Sequence, residues 1–385
     1  MSDNHALVLG ASGLAGWAVV DELLSNYPAA GTFKRVTALV NRPLKLEDAF
    51  WPSPSPERPK LSLVSGANLL EGSANDFAGF LKDRVLDVAS VTHVYYFGVA
   101  PYKQEDKWEV EVHANTAMLE RVIRALELLA PGLQFIAFPS GTRGYGIYLP
   151  GGLHKAPLVE SMDPLPEPHR SQIFYFALQD LLRKASAGKR WTWAEVRPDA
   201  IVGFAPNGST FNLTAHWATY LSTYATVEGP GAAVSYPGTE ACYDAQSTDA
   251  SSAMIARAAI WASLHPDRTG GQTYNIADSA KPMTMRARWP ALAAYFGLIG
   301  ADPDPKGTMP GAYVKKHAEK LKGQDAAAKA ENWKGEFLDS VGEYLSFDRQ
   351  LSLDKLRAAG FDEERDPIQS WHAAFDRFRA AGIIP

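Results

Sequence analysis

Three glycines at intervals of three residues, Gly10, Gly13 and Gly16, separate a short apolar run from a helical pattern. The run, residues 6–9, is typical of a strand that is buried on both faces, and apolar residues recur at helical spacing after Gly16. Glycines in such a turn let the backbone approach a pyrophosphate, and the helix that follows offers N–H donors. The sequence therefore predicts a dinucleotide-binding turn, although a tight turn without a ligand would have the same pattern. The expected contacts are those of Gly10, Ser12, Gly13, Leu14 and Gly16.

The same alternation of strand and helix continues through the first half of the chain. Further strands are predicted at residues 36–40, 61–64, 93–98, 134–140 and 193–197. Helices are predicted at 109–129 and 172–187, and the proline-rich stretch 44–60 is predicted to be a surface excursion. Strands that alternate with helices imply an α/β protein with a Rossmann-type, doubly wound parallel sheet.

Beyond residue 206, helical patterns dominate. They cover residues 213–225, 250–264, 286–296 and 326–345, with short strand-like pieces at 234–236 and 272–276. We therefore expect a Rossmann domain over residues 1–205, to which segments near 239–280 return. A smaller, mainly helical substrate-binding lobe is expected over residues 206–385.

The composition argues against several classes of function. A net charge of −5 gives no basic surface for nucleic acid or an anionic membrane. The one cysteine, Cys242, allows no disulfide and no thiolate metal cluster, and no apolar stretch approaches ~18 residues. Glu109, Glu111 and His113 lie close together, but they lack a further metal ligand and are predicted to form a solvated helix face. We expect a cytoplasmic protein that acts on a hydrophobic small molecule without nucleic acid, membrane or metal, and a homodimer is left open.

The end of the second strand distinguishes between nicotinamide cofactors. An NAD enzyme usually places a carboxylate there, where it binds the 2′-hydroxyl of the adenine ribose. This chain has Asn41 and Arg42 instead, and a guanidinium suits a 2′-phosphate. We therefore predict NADP(H) as the cofactor, with Asn68 and Leu69 flanking the adenine and Val99 beneath the cofactor.

The usual catalytic pair of short-chain reductases is missing. These enzymes commonly carry a tyrosine and a lysine four residues apart on one helix, where the lysine lowers the pKa of the tyrosine. Here Leu149 stands four residues after Tyr145, and Gln179 stands four residues after Tyr175. A site of the usual form is therefore excluded after the fifth strand.

Four motifs nevertheless follow one another in a specific order. They are Thr-His-Val-Tyr-Tyr at 92–96, Ser-Gly-Thr-Arg-Gly-Tyr at 140–145, Ile-Phe-Tyr-Phe-Ala-Leu-Gln-Asp at 173–180 and Val-Arg-Pro-Asp-Ala-Ile-Val-Gly-Phe-Ala-Pro at 196–206. Together they resemble the progesterone 5β-reductase and iridoid synthase group, an atypical branch of the extended short-chain reductases. The similarity covers roughly residues 5–300. It implies a reductase that uses NADPH to reduce a carbon–carbon double bond conjugated to a carbonyl.

The resemblance also assigns roles to two residues. Tyr175 corresponds to the family's catalytic tyrosine, whose hydroxyl would hydrogen-bond the substrate carbonyl and stabilise the developing enolate. Arg143 stands where the family has a lysine. It keeps the positive charge, but a guanidinium cannot relay a proton at neutral pH.

Further contacts are expected from the same motifs and from the helical lobe. The additional cofactor contacts that we expect are those of Ser140, Tyr175, Pro198 and Ile201. An aromatic lining of the substrate pocket is predicted from Tyr145, Tyr148, Phe211 and Trp217, with ordinary core packing as the alternative.

Three functions remain open at the level of the sequence. The first is an NADPH-dependent reductase of an enone, an enal or a simple carbonyl. The second is an isomerase or cyclase on the same scaffold without net hydride transfer, which the exchange of lysine for Arg143 motivates. The third is a regulatory protein that senses the nucleotide and catalyses nothing.

Overall fold

A computed structural model describes residues 3–100, 107–206, 212–317 and 336–385. The strands are β1 (Asn4–Leu9), β2 (Phe33–Val40), β3 (Lys60–Ser65), β4 (His93–Tyr96), β5 (Phe135–Pro139), β6 (Thr192–Pro198), β7 (Ile201–Val202), β8 (Ala233–Ser235), β9 (Ala250–Ser251), β10 (Gln272–Ile276) and β11 (Ile299–Ala301). Seven of them form one parallel sheet in the order β10-β6-β5-β4-β1-β2-β3. The order reverses between β1 and β4, and ligands of open α/β sheets bind at such a reversal.

Helices cover both faces of this sheet. They are α1 (Leu14–Leu24), α2 (Ala74–Arg84), α3 (Trp108–Leu129), α4 (Phe174–Ser186), α5 (Leu213–Glu228), α6 (Glu240–Asp244), α7 (Ser252–Leu264), α8 (Pro266–Thr269), α9 (Met285–Tyr295), α10 (Pro310–His317), α11 (Glu336–Asp339), α12 (Val341–Tyr344), α13 (Asp354–Ala359) and α14 (Pro367–Ala380). Helices α1 and α7 pack on one face, and α2, α3 and α4 pack on the other. Successive residues of β1 therefore enter opposite cores: Ala6 and Val8 face the first, and Leu7 and Leu9 face the second. The predicted Rossmann-type α/β fold is confirmed.

The C-terminal half shares the first of these cores. Helices α5, α9 and α14 contribute buried residues to the same cluster as α1 and α7, and β10 completes the sheet beside β6. Two small parallel pairs, β7 with β9 and β8 with β11, lie outside the main sheet. The division of the chain at residue 205 stays a prediction.

Two helices of more than ten residues were missed at the level of the sequence, as were several short ones. Helix α2 begins with a capping box, in which Ser73 and Asp76 satisfy each other's backbone N–H groups. Helix α14 begins with Asp366 as its N-cap and Pro367 in its first turn. Of the helix predicted at 326–345, residues 326–335 lie outside the described residues, and the remainder holds the two short helices α11 and α12.

Residues 44–60 lie mostly at the surface, as predicted. Two tryptophans nevertheless tie this proline-rich stretch to α1. The indole N–H of Trp17 donates to the carbonyl oxygen of Ala49 at 2.7 Å. The indole N–H of Trp51 donates in return to the carbonyl oxygen of Trp17 at 3.1 Å. Within the described part of the chain, no helix has both the length and the apolar character needed to cross a membrane.

A buried histidine makes the stability of this fold depend on pH. The ring nitrogens of His5 lie 2.9 Å from the hydroxyl oxygens of Ser90 and Thr37. Burial, reinforced by Arg35, lowers the pKa of His5 from 6.5 to about 4. Between these two values the unfolded chain binds a proton that the folded protein excludes. This contribution to stability is therefore complete above pH 6.5 and is lost as the pH falls toward 4.

We expect the replacement His5→Gln to remove this dependence. The compared quantity is the unfolding free energy of the native protein minus that of the variant. This difference should decrease by on the order of 2 kcal/mol when the pH is lowered from about 7 to about 4.5. Urea unfolding at both pH values measures it, and the difference between the two proteins cancels the titration of all other groups. An advantage that stays constant over this range would contradict the assignment.

Candidate functional site

The turn between β1 and α1 brings its glycines into backbone contact. Gly10 has a φ of +73°, in the left-handed region, and a Cβ added there would lie 2.4 Å from the carbonyl oxygen of Phe97. A Cβ added to Gly16 would lie 2.3 Å from the carbonyl oxygen of Gly10. Strand and helix therefore meet at a distance that only glycine permits at these two positions.

The amino terminus of α1 has the properties of an anion-binding site. Its N-cap is Gly13, which offers no capping side chain, and no acidic residue stands in the first turn. Ser12 and Gly13 are half-buried, and Leu14 is buried. The N–H groups of this turn and the helix dipole therefore suit a phosphate. This cradle fits the pyrophosphate of a dinucleotide.

The predicted selector of the adenine ribose lies at the end of β2. Asn41 and Arg42 are both exposed, and the carbonyl oxygen of Asn41 accepts from the N–H of Gly66, which joins the ends of β2 and β3. Among the residues that the structure describes, no carboxylate forms an ion pair with Arg42. Its guanidinium is therefore available to a 2′-phosphate, as the prediction requires.

The remaining expected contacts to the adenine half differ in exposure. The side-chain oxygen of Asn68 accepts from the N–H of Leu70 and is held in its own turn. Leu69 is buried, whereas Val99 is 59% exposed. Asn115 of α3 was missed by the sequence analysis. Its side-chain oxygen accepts from the N–H of Ala100 at 3.0 Å and so fixes the segment after β4.

Tyr175 lies in the first turn of α4, with its hydroxyl at the carboxyl ends of β5 and β6. A Cβ added to Gly141 would lie 3.3 Å from this hydroxyl and 3.7 Å from the carbonyl oxygen of Pro198. Gly141 therefore makes room for the phenol. Within the described ranges, the Tyr175 hydroxyl has no hydrogen-bond partner, so its donor is available to a ligand. Ile201 lies in β7 and is half-buried, and its contact with a cofactor stays a prediction.

Arg143 lies beside Tyr175 but is held by an unexpected partner. Its two terminal nitrogens donate to the two carboxylate oxygens of Glu111, each at 3.0 Å. The guanidinium carbon lies 4.9 Å from the ring centre of Trp108, 5.8 Å from that of Tyr175 and 6.0 Å from that of Phe174. The prediction of a solvated helix face is thus wrong for Glu111, whose side chain is 13% exposed. It holds for Glu109 and His113, which are exposed.

The protonation states at this site follow from burial and from the paired charges. Burial raises the pKa of Tyr175, and Arg143 only partly opposes this rise. Burial also disfavours the charge of Arg143, but its hydrogen bonds to Glu111 and the nearby Tyr175 and Tyr148 outweigh this cost and raise its pKa. At neutral pH the phenol is therefore protonated and the guanidinium charged.

A second buried ion pair, between Glu195 and Arg197 of β6, lies near Tyr175. Glu195 is fully buried and binds Arg197 at 2.8 Å. It also accepts hydrogen bonds from Ser140, Gln179 and Thr273. The Ser140 hydroxyl is thus engaged within the protein, and its contact with a cofactor stays a prediction.

Of the aromatic residues predicted to line the pocket, only Tyr148 lies near Arg143 and Tyr175 among the described residues. The Tyr148 ring lies 6.1 Å from that of Trp108, and its hydroxyl lies 3.3 Å from Nδ1 of His169. Tyr145 is buried instead; its hydroxyl donates to Asn275 at 2.7 Å, and its ring packs on Arg197.

The helical lobe supplies no predicted aromatic to the site within the part of the chain that the structure describes. Trp217 is a core residue, stacked on Trp371 at 5.3 Å and packed edge-on against Trp289. This corrects its assignment to the substrate pocket, because a side chain enclosed by other indoles presents no face to a ligand. Phe211 lies outside the described residues.

The C-terminal segment also reaches the site, which no pattern in the sequence indicates. The Thr142 hydroxyl donates to one carboxylate oxygen of Asp199 at 2.7 Å. Arg349 donates to the other at 2.9 Å and is itself buried. The turn that carries Arg143 is thereby anchored both on the residue that follows β6 and on the C-terminal segment.

The chain was compared with known proteins. The PRISE-like Rossmann-fold domain matches residues 6–385. The chain is 36% identical to the short chain dehydrogenase ausT of Aspergillus calidoustus, over all of this chain and 95% of the relative. It is 24% identical to (S)-8-oxocitronellyl enol synthase CYC2 of Camptotheca acuminata, over 99% of this chain and 93% of the relative. UDP-glucose 4-epimerase of Thermus thermophilus, solved with NAD, shares the fold with a TM-score of 0.57 at 16% identity, over 98% of this chain and 99% of that chain.

The backbone contact at Gly16 predicts a stability effect that opposes helix propensity. Propensity alone would favour Gly16→Ala by about 1 kcal/mol within α1. The clash with the carbonyl oxygen of Gly10 should instead destabilise the protein by about 1–3 kcal/mol, the usual cost of overpacking. Denaturant unfolding measures the difference.

Gly13→Ala is the matched control. A Cβ at this position meets nothing closer than the carbonyl oxygen of Gly10 at 3.3 Å. Its stability should stay within about 1 kcal/mol of the native value. Equal losses in the two variants would show that the close approach of α1 to β1 is not the cause.

Proposed function

Since the chain belongs to the family of PRISE-like Rossmann-fold proteins, we propose that it is an NADP(H)-dependent reductase of α,β-unsaturated carbonyl compounds. Reduction of a simple carbonyl is the related reaction on the same site. The chain is an oxidoreductase of the short-chain dehydrogenase type, as its relatives are named. The substrate that we propose is a hydrophobic small molecule.

The observation that carries this proposal is the hydroxyl of Tyr175, which has no partner among the described residues. It lies beside Gly141 at the carboxyl ends of β5 and β6, on the same edge of the sheet as the glycine turn. A phenol that is protonated and not bonded within the protein is suited to donate to a substrate oxygen. The flanking rings of Trp108, Phe174 and Tyr148 suit a flat, conjugated molecule.

The residues of the glycine turn and of the strand ends would hold the cofactor. Gly13 and its neighbours would bind the pyrophosphate, and Arg42 would bind the 2′-phosphate that distinguishes NADP from NAD. When bound, NADPH supplies the hydride that adds to the β-carbon of the substrate.

Tyr175 acts on the other end of the conjugated system. As the β-carbon gains the hydride, the electron pair of the double bond moves toward the carbonyl oxygen. The Tyr175 hydroxyl donates a hydrogen bond to this oxygen and stabilises the enolate, and the α-carbon then takes a proton from water. The Camptotheca acuminata relative, an enol synthase, is itself named for an enol product.

A redox-silent isomerase or cyclase is the second candidate, and Arg143 favours it. The guanidinium is bound to Glu111 through both terminal nitrogens and cannot relay a proton, so it is a fixed, charge-compensated neighbour of the phenol. One phenolic acid in such surroundings suffices for proton-transfer chemistry without hydride transfer. Substrate turnover in the absence of NADPH would support this candidate.

Removing the Tyr175 hydroxyl tests the proposed role directly. Tyr175→Phe should lower kcat for an enone by about a hundredfold, the scale for loss of one oxyanion donor. NADPH oxidation with a panel of enones and enals measures it. Tyr344→Phe, at a tyrosine that is 44% exposed, is the control and should be unchanged. Equal turnover in the two variants would refute the role of Tyr175.

Arg42 provides the test of the cofactor. Arg42→Ala should raise the KM for NADPH by roughly ten- to a hundredfold, because a charge-assisted contact with the 2′-phosphate is lost. The KM for NADH should not change. Lys45→Ala is the control, because Lys45 is an exposed cation of the same segment. An equal rise in the KM for NADPH and for NADH in Arg42→Ala would contradict the assignment.

A further inference from the structure

The pairing of Arg143 with Glu111 joins two distant parts of the chain at the proposed catalytic tyrosine. Glu111 comes from the first turns of α3, and Arg143 comes from the short helical turn Thr142–Tyr145 after β5. Both terminal nitrogens of the guanidinium are engaged at 3.0 Å, in the two-point geometry that orients an arginine plane. The ring of Trp108, one turn before Glu111 on the same helix, lies 4.9 Å from the guanidinium carbon.

We propose that Glu111 is a positioning residue of this site. Its carboxylate fixes the guanidinium of Arg143 beside the ring of Tyr175 and cancels its charge there, so that Tyr175 works as a neutral hydrogen-bond donor. This role rests on the proposed function and deepens it, because it explains what an arginine does at the position where the resembling family has lysine.

The charges that face Tyr175 support this role. Arg143 and Glu111 approach it from the turn after β5 and from α3, and Arg197 and Glu195 approach it from β6. Both cations are paired with a carboxylate, at 3.0 Å and 2.8 Å. The phenol therefore faces no uncompensated cation among the described residues.

The chemical consequence concerns the protonation state in which Tyr175 acts. An unpaired cation beside a tyrosine stabilises the tyrosinate, which is the form needed to take a proton from an alcohol. A paired cation leaves the phenol protonated, which is the form needed to donate to an enolate or carbonyl oxygen. The pair thus keeps Tyr175 in the form that donates a hydrogen bond.

The orientation of Arg143 has a second consequence. Its Nε–H is buried and has no acceptor among the described residues, because Glu111 takes only the terminal nitrogens. A buried donor without an acceptor is costly, so a ligand oxygen that accepts from it would be favoured. Glu111 therefore leaves the Nε–H of Arg143 as a further donor for the bound substrate or cofactor.

Ionisation of Tyr175 tests the proposal without requiring turnover. The protein is labelled with 13Cζ-tyrosine, and the Tyr175 resonance is assigned as the one that disappears in Tyr175→Phe. In Glu111→Gln, the midpoint of its titration should move to lower pH than in the native protein, since the charge of Arg143 is now uncompensated. Glu111→Asp keeps the carboxylate and should titrate close to the native protein.

Two further variants separate this effect from a general one. Glu109→Gln changes the same charge at an exposed position of the same helix turn and should leave the midpoint unchanged. The double variant Glu111→Gln with Arg143→Gln removes both charges and should return the midpoint toward the native value. If Glu111→Gln alone does not fold, Arg143→Gln is used instead: it leaves the charge of Glu111 uncompensated and should move the midpoint to higher pH.

Turnover gives the second readout. In Glu111→Gln, kcat for an enone should fall roughly tenfold, as for loss of an orienting charge-assisted hydrogen bond, with an unchanged KM for NADPH. Glu111→Asp should recover part of this loss.

If Glu111→Gln titrates like Glu109→Gln, Glu111 only stabilises the fold and the proposal is overturned. If the titration shifts but no enone is reduced, the positioning role stands and the proposed reaction fails.

Discussion

The convergence of parallel strands at their carboxyl ends places the residues of the site. In a parallel sheet these ends share an edge, and the strand order reverses there between β1 and β4. The glycine turn follows β1 at that reversal, Arg42 follows β2, and the turn with Arg143 follows β5. The contact of Gly16 with the Gly10 carbonyl then brings the amino terminus of α1 close to β1. Residues far apart in the chain thus lie along one edge of the sheet.

Buried charge is the second constraint, and the site meets it by pairing. Arg143 binds Glu111, Arg197 binds Glu195, and Arg349 binds Asp199. Removal of one partner would leave an uncompensated charge in a region poor in water, which costs more than the pair itself contributes. These pairs make the surroundings of Tyr175 close to neutral. Such surroundings suit a neutral, conjugated carbonyl compound better than an ionic substrate.

The sequence was informative where local pattern decides structure, and uninformative where tertiary contacts decide it. The Rossmann fold could be predicted, because the glycine turn and the buried strands are local signals. The pairing of Glu111 with Arg143 could not, because it joins residues 32 positions apart and depends on how α3 packs. Trp217 was misassigned for a similar reason, since an aromatic side chain on a helix can face a pocket or a core, and only its neighbours distinguish the two. Helix α2 was missed although its capping box is a local signal.

Deuterium transfer from the cofactor determines whether the protein uses NADPH to reduce a conjugated double bond. The protein is incubated with an enone panel and with NADPH that carries deuterium on the transferable position of nicotinamide C4. Each product is then analysed by mass spectrometry and NMR. We expect one deuterium on the β-carbon of the product, with NADPH consumed in equal amount. A product that forms without deuterium and without NADPH consumption would refute the proposed reduction and would identify the protein as a redox-silent isomerase.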